Sequence, residues 1–182
     1  MKKIIVPLAN GFEELEAITV IDVLKRADLE VEIITLKDLE VESSNQIIIK
    51  ADKKIEQVKR EDLAGIILPG GMPGAKNLKD NPKIIEIVQD LAANNDLIAA
   101  ICAAPIVLSK AGVIANKKIT SYPGFEEELK AKQYLQQRVV VDENVITARG
   151  PGVALEFAMA IIKYLQGEKE VNKLKDAMLT NF

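Results

Sequence analysis

The chain contains no histidine, no tryptophan and only one cysteine, Cys102. A Cys-His dyad, or a Cys-His-Asn triad of the protease or amidotransferase kind, therefore cannot form, even with residues from a second copy of the chain. One cysteine cannot close an intrachain disulfide, and neither a CxxC redox pair nor a zinc-binding pattern is present. We expect no metal site. If Cys102 is reactive, a group other than imidazole must activate it.

The sequence also has no excess of basic residues and no long apolar run. Twenty-four Lys and Arg stand against 27 Asp and Glu, for a net charge of -3. Nucleic-acid binding is driven largely by basic side chains, so no nucleic-acid partner is expected. A bilayer span needs roughly 20 apolar residues, and the start MKKIIVPLAN leads into a strand pattern rather than a signal-peptide core. These features predict a cytoplasmic protein without membrane contact.

Short apolar runs rich in Ile and Val alternate with helical patterns along the whole chain. Such runs are typical of buried parallel strands. The predicted strands are 3–8, 31–36, 64–68, 97–101 and 145–148, and the predicted helices are 13–26, 82–94, 103–111, 152–165 and 169–178. Two hairpins are predicted as well, one pairing 40–42 with 46–50 off the main sheet and one pairing 138–141 with 145–148.

This alternation of strands and helices predicts the α/β class. Right-handed crossovers would place helices on both faces of a mostly parallel sheet, which gives an open sandwich. The chain has 182 residues and 48% hydrophobic content, enough to bury a full core. We therefore predict a single domain over residues 1–182.

Cys102 stands where an apolar strand gives way to a helical pattern. Its small neighbours Ala100 and Ala104 meet the steric demand of a nucleophile elbow, in which a tight turn holds the reactive side chain clear of the backbone. The free N–H groups of the following helix would lower the thiol pKa below its ordinary ~8.5. The alternative is an inert cysteine that fills a gap among alanines. Gly-rich loops expected beside it favour the reactive interpretation.

Glu16 is a second candidate because it shares a helical stripe with Val20, Val23 and Leu24. A carboxyl that faces the core has a raised pKa. It could donate a hydrogen bond to a thiolate, or act as a general acid and base. The alternative is an ordinary acid in the first turn that complements the helix dipole, which is the interpretation we favour for Glu13 and Glu14.

Glycine-rich loops follow two of the predicted strands. Gly70 and Gly71 could direct N–H groups at an anion or a developing oxyanion, or could simply form a turn with positive φ. Gly150, Pro151 and Gly152 carry the same ambiguity, with Arg149 available to pair with a carboxylate. Neither GxGxxG nor a Walker loop is present, so no dinucleotide or other cofactor is expected. Loops 10–16, 69–74 and 149–152 should face one crevice with Cys102.

Four motifs in order and at similar spacing resemble the DJ-1/ThiJ/PfpI superfamily, and are closest to its bacterial YajL-like branch. They are EELE (13–16), LPGG (68–71), AAICAAP (99–105) and RGPG (149–152). The resemblance implies a flavodoxin-like sandwich, a homodimer, and an oxidisable cysteine at a strained elbow. It places the family's buried glutamate on Glu16 and its anion-binding N–H groups on Gly70, Gly71 and Ala103. Tyr122, Arg149, Gly150 and Pro151 would lie near the site.

Three departures from the superfamily pattern narrow the function. Protease-like and amidase-like members carry histidine after the cysteine, where this chain has Ala103, so proteolysis is disfavoured. Tyr122 precedes Pro123 where several members have histidine, and a phenol donates hydrogen bonds but is a poor base near neutral pH. The YajL-like branch lacks that histidine too. Asn45 stands where members use an arginine from the partner subunit near the site.

Three hypotheses follow. In the first, the resemblance implies a deglycase or glyoxalase-like enzyme without a cofactor. Its Cys102 attacks small aldehydes, or their adducts on thiols and amines, while Glu16 shuttles the proton. In the second, the protein is a redox-responsive stress protein or chaperone in which Cys102 is oxidised to sulfinic acid. With no resolving cysteine in the chain, oxidation can proceed past the sulfenic stage. In the third, Cys102 is inert.

Overall fold

A computed structural model describes residues 2–180 of the chain. The strands are β1 (Lys3–Leu8), β2 (Val31–Thr35), β3 (Glu40–Glu42), β4 (Ile48–Lys50), β5 (Lys53–Lys54), β6 (Leu63–Leu68), β7 (Leu97–Ile101), β8 (Lys118–Ile119), β9 (Gln133–Tyr134), β10 (Val139–Asp142) and β11 (Val145–Ala148). The helices are α1 (Glu14–Arg26), α2 (Gly74–Asp80), α3 (Pro82–Ala93), α4 (Pro105–Ala111), α5 (Ala154–Gln166) and α6 (Glu168–Met178).

Within the described residues, seven strands form one sheet in the order β10-β11-β7-β6-β1-β2-β5. Every neighbouring pair is parallel except β10 and β11, which form the antiparallel hairpin predicted from the sequence. The second predicted hairpin, β3 with β4, forms its own small antiparallel sheet. The prediction of an α/β open sandwich with a mostly parallel sheet is confirmed.

Several element boundaries differ from the prediction. Helix α2 begins at Gly74, the last residue of the predicted loop 69–74, and otherwise covers residues to which no element was assigned, because the Pro- and Gly-rich segment before it masks the helix signal. Helix α4 begins at Pro105 rather than at residue 103, since the preceding residues form a turn and proline suits the first helical position. A short 3-10 helix, Pro151–Val153, precedes α5. Strands β5, β8 and β9 are two residues each, too short for a periodic pattern.

Two apolar layers cover the sheet, one on each face. Helices α1, α5 and α6 pack on one face around Val20, Phe157 and Ile161. Helices α2, α3 and α4 pack on the other face around Leu78, Leu91 and other fully buried side chains. Each such side chain contributes about 1.5–3 kcal/mol by leaving water. The predicted helices on both faces are therefore present.

The connections around β1 create a crevice at the carboxyl edge of the sheet. The chain passes from β1 to β2 on one side and later enters β6 on the other side of β1. Loops after β1 and β6 consequently leave the sheet in opposite directions, which is where ligands bind in open α/β sheets. Strand β7 ends beside β6 and delivers Cys102 to the same edge.

The β3–β4 hairpin lies against the first turn of α1. The Ser44 amide donates to the Phe12 carbonyl at 2.8 Å, and Asn45 Nδ2 donates to Glu14 Oε1 at 2.6 Å. Four apolar side chains on this helix and hairpin are exposed, namely Leu15, Ile18, Ile47 and Ile48. Over residues 2–180, no helix combines the length and apolar character needed to cross a membrane.

Candidate active site

Cys102 occupies a left-handed backbone conformation at the end of β7, with φ of +63°. For a residue with a side chain this conformation costs about 1–2 kcal/mol, so the surroundings must hold it in place. The Cys102 amide donates to the Ala148 carbonyl at 2.9 Å, and the Cys102 carbonyl accepts the Tyr122 amide at 2.9 Å. Both polar groups of the strained peptide are therefore fixed, and the half-buried sulfur projects from a tight elbow.

Glu16 lies in the first turns of α1 and is completely buried. Its predicted orientation toward the core is confirmed. Oε2 accepts the Gly70 amide at 2.7 Å, while Oε1 is buried without a hydrogen-bond partner among the described residues. The Glu13 amide also donates to the Gly70 carbonyl at 2.9 Å. Two hydrogen bonds thus connect the start of α1 to the loop after β6.

Glycine is required at positions 70 and 71 for steric reasons. A Cβ atom at position 70 would lie 2.7 Å from the Cβ of Cys102 and 2.8 Å from Glu16 Oε2. Gly71 has φ of +85°, and a Cβ there would lie 2.4 Å from the Glu13 amide nitrogen. The close approach of three loops around the sulfur therefore depends on two missing side chains.

The predicted oxyanion role of Gly70 needs correction. Its N–H group is already donated to Glu16, so it positions this carboxyl group instead of facing an incoming anion. The amides of Gly71 and Ala103 do face the sulfur and lower the pKa of Cys102. These two N–H groups are the ones placed to stabilise negative charge on the sulfur or on an atom bound to it.

Burial raises the pKa of Glu16 to about 7, although hydrogen bonds from the Gly70 amide and the Cys102 thiol oppose this shift. The carboxyl group is therefore partly ionised at neutral pH. A carboxylate with a pKa near the ambient pH is well matched to proton transfer in both directions.

Burial and the negative charge of Glu16 raise the pKa of Cys102 to about 12. The prediction of a lowered thiol pKa is wrong for this arrangement, because burial of the thiol, together with the carboxylate beside it, outweighs the two amides. Helix α4 also begins three residues after the cysteine. At neutral pH the pair therefore favours a single negative charge.

Of the remaining predicted residues, Tyr122 contacts the cysteine elbow through its amide. The Tyr122 ring covers Gly150, where a Cβ would lie 3.1 Å from Cδ2 of the tyrosine. Pro151 opens the 3-10 helix that leads into α5. Arg149 Nη1 donates to the Gln136 carbonyl at 3.3 Å. Its described contacts therefore lie away from the sulfur.

Sequence reasoning missed the role of Ala148, whose carbonyl anchors the Cys102 amide. A backbone acceptor leaves no side-chain signal in a sequence, so only the β7–β11 pairing reveals it. Asn45, which the resemblance aligns with the superfamily's partner arginine, donates to Glu14 Oε1 of its own chain. Among residues 2–180, no cluster of three or more acidic, cysteine or histidine side chains is arranged to hold a metal ion.

Known proteins are similar to this chain in sequence and in fold. The profile of the DJ-1/PfpI family matches residues 2–164. The Arabidopsis thaliana Protein DJ-1 homolog B is 37% identical over 97% of this chain, which spans 41% of that longer protein. The Caenorhabditis elegans Glutathione-independent glyoxalase DJR-1.2 is 35% identical over 89% of this chain and 87% of its own.

A solved structure of oxidized Toxoplasma gondii DJ-1 superposes with a TM-score of 0.95, at 35% identity and over 100% of both chains. This likeness supports the flavodoxin-like assignment of the sheet and its helices. The more specific resemblance to the bacterial YajL-like branch stays a prediction. The profile match, the relatives and the superposition agree over nearly the whole chain, and the protein therefore belongs to the DJ-1/PfpI family.

Proposed function

We propose that the protein is a cofactor-independent enzyme of the glyoxalase or deglycase type, with Cys102 as nucleophile and Glu16 as proton shuttle. The observation that carries the proposal is the contact between a cysteine on a strained elbow and a completely buried glutamate whose pKa is about 7. The substrates would be small aldehydes, or their adducts on thiols and amines. The name of the Caenorhabditis elegans relative, a glutathione-independent glyoxalase, supports the same class of chemistry.

The first step would be addition of the thiol to the aldehyde of methylglyoxal. The sulfur forms a bond to the aldehyde carbon, the thiol proton passes to the Glu16 carboxylate, and the carbonyl oxygen becomes an oxyanion. The amides of Gly71 and Ala103 are placed to stabilise that charge. Proton return from Glu16 to the oxyanion gives a neutral hemithioacetal. In this scheme no permanent thiolate is needed.

The second stage would convert the hemithioacetal to lactate. Glu16 removes the proton from the former aldehyde carbon and a proton is returned to the neighbouring carbon, so that the first carbon is oxidised and the second is reduced. The resulting thioester is hydrolysed by water, which regenerates the thiol and releases lactate. The sum is methylglyoxal plus water giving lactate, and neither an external oxidant nor an external reductant is needed.

A redox role is the second candidate function. A sulfinate at Cys102 would accept hydrogen bonds from the Gly71 and Ala103 amides and from protonated Glu16. Since the chain has no other cysteine, a sulfenic intermediate has no intrachain thiol to capture it. A stress-responsive or chaperone role would follow from this oxidation. The cytoplasmic location and the single domain over residues 1–182 stay predictions of the sequence.

A homodimer is the assembly that the family resemblance implies. The exposed apolar side chains of α1 and the β3–β4 hairpin, including Ile18 and Ile48, support it, because exposed apolar clusters mark protein contacts. A two-fold axis would bring the same surface of two copies together.

Replacing Cys102 with Ala should abolish lactate formation from methylglyoxal, because no other thiol can form the thioester. Glu16→Gln should lower the turnover by roughly 10²–10⁴-fold, the usual contribution of a general acid or base. Lactate is measured by enzymatic assay after fixed times, and circular dichroism confirms that both variants are folded. Equal lactate production by the wild type and Cys102→Ala would contradict the enzyme proposal.

Alkylation of Cys102 by iodoacetamide should become faster as the pH rises through about 7, because ionised Glu16 can then accept the thiol proton. Below this pH the carboxyl group is protonated and cannot. In Glu16→Gln the step near pH 7 should disappear, with a roughly tenfold or greater loss of rate at pH 8. Glu14→Gln, two residues away on the same helix, is the matched control and should keep the wild-type profile. A wild-type rate that is flat from pH 5 to 9 rules out Glu16 as the base.

Mild peroxide should add two oxygen atoms to Cys102, as each of two peroxide molecules is reduced to water. Intact-mass spectrometry follows the reaction, and Cys102→Ala controls for methionine oxidation. Glu16→Gln should accumulate the doubly oxidised form more slowly, because the hydrogen-bond donor for the sulfinate is altered. Identical oxidation of the wild type and Glu16→Gln would show that Glu16 has no part in it.

Light scattering should give a mass of twice the 19.9 kDa of one chain. Ile18→Lys combined with Ile48→Lys should yield monomers, because two lysines cannot be buried at a self-complementary contact without partners. Val141→Lys changes an equally exposed apolar side chain on β10 and should leave the dimer intact. A monomeric wild type, or a dimer that persists in the double variant, would contradict this assignment of the interface.

A further inference from the structure

Strand β11 holds the cysteine elbow at two points. The carbonyl of Ala148 accepts the Cys102 amide at 2.9 Å. The residue before it, Thr147, accepts the Thr120 amide through Oγ1, also at 2.9 Å. Two residues after Thr120, the Tyr122 amide donates to the Cys102 carbonyl. Strand β11 is therefore hydrogen-bonded directly to the Cys102 amide through Ala148. It is connected indirectly to the Cys102 carbonyl, from Thr147 through the segment 120–122.

The connection between β11 and the Thr120 amide has to be made by a side chain. Strand β11 is flanked by β10 and by β7, so its main-chain groups are committed to the sheet. The segment after β8 lies on the face of the sheet that carries Ile119 and Ala100, and Thr147 is paired with Ala100 in the register. Thr147 is completely buried, and its hydroxyl is the acceptor that this face offers to the Thr120 amide.

The segment from Thr120 to Tyr122 has few other attachments. The Thr120 hydroxyl is buried without a hydrogen-bond partner among the described residues, so this residue is joined to β11 through its amide. The Ser121 carbonyl accepts the Tyr134 hydroxyl at 3.2 Å. Loss of the Thr147 acceptor would leave a buried N–H group without a partner, and the segment would shift to find one.

We propose that Thr147 is a positioning residue for Cys102, which acts through Thr120 and Tyr122 to keep the cysteine in its strained left-handed conformation. The proposal rests on the proposed function in so far as Cys102 is the reacting group. A relaxed elbow would move the sulfur relative to Glu16 and relative to the Gly71 and Ala103 amides. Among residues 2–180, Glu16 is the titratable group whose charge acts on the thiol pKa. Displacements of about 1 Å can cost 10²-fold in rate.

The competing interpretation is that Thr147 only fills space in a buried strand. Valine has nearly the same shape and an equal preference for strands, but it offers no acceptor. Serine keeps the hydroxyl and loses a methyl group. If Thr147 only fills space, the valine variant should have the alkylation profile of the wild type. If Thr147 positions the elbow through its hydroxyl, the serine variant should have that profile and the valine variant should not.

The experiment measures the rate of Cys102 alkylation against pH for the wild type, Thr147→Val and Thr147→Ser. Thr147→Val should lower the rate at pH 8 by roughly tenfold and remove or displace the step near pH 7, whereas Thr147→Ser should restore both. Thr35→Val is the matched control: Thr35 is also buried and accepts one amide, from Lys37, but lies at the end of β2. Its pH profile should equal that of the wild type.

Superimposable profiles for the wild type and Thr147→Val would overturn the proposal, as would an equal change in Thr35→Val. If Thr147→Val does not fold, Thr147→Ala removes the same acceptor, and an unchanged profile in that variant has the same meaning. The readout does not require turnover of a carbonyl compound. Absence of lactate in the wild type would therefore count against the proposed function alone, whereas an unaltered alkylation profile counts against the role of Thr147.

Discussion

The site depends on one buried contact, in which the Gly70 amide donates to Glu16 beside the Cys102 sulfur. Three segments meet there: the first turns of α1, the loop after β6 and the elbow after β7. None of them could approach so closely if position 70 carried a Cβ atom. The other carboxylate oxygen, Oε1, is buried and has no hydrogen-bond partner in the part of the chain that the structure describes. In the proposed mechanism, this buried carboxyl group is the acceptor of the thiol proton.

This arrangement lowers the stability of the folded chain. Glu16 has an ordinary pKa of 4.5 and a pKa of about 7 in the folded protein, so the folded state binds the proton more tightly than the unfolded state between these values. Stability therefore falls as the pH rises through that window, by about 3 kcal/mol in total. The strained Cys102 backbone adds about 1–2 kcal/mol. Burial of the two apolar layers offsets these costs. Proteins often tolerate such a loss of stability where activity requires a strained site.

Much of the fold could be predicted because its determinants are local. The strands 97–101 and 145–148 are continuous apolar runs, and the stripe of Glu16 with Val20 already gave the inward orientation of the carboxyl group. The pKa of the Cys102 thiol and the partner of the Gly70 amide could not be predicted in the same way. The thiol pKa depends on burial in the folded chain and on the charge of Glu16, which is 86 residues away in the sequence. The engagement of the Gly70 amide likewise depends on where α1 lies.

The absence of histidine matters for how the Cys102 thiol can be ionised. In a Cys-His pair the imidazolium stabilises a thiolate by opposite charge, so the nucleophile can be ionised before the substrate arrives. A carboxylate does the reverse, because its charge raises the pKa of the sulfur until the proton has moved. In the proposed mechanism the nucleophile and the base are therefore ionised in turn, and negative charge develops on the sulfur only as Glu16 becomes neutral. The same proton transfer from Cys102 to Glu16 is common to the two candidate functions. Attack of the sulfur on a peroxide and attack on an aldehyde both require the thiol to lose its proton.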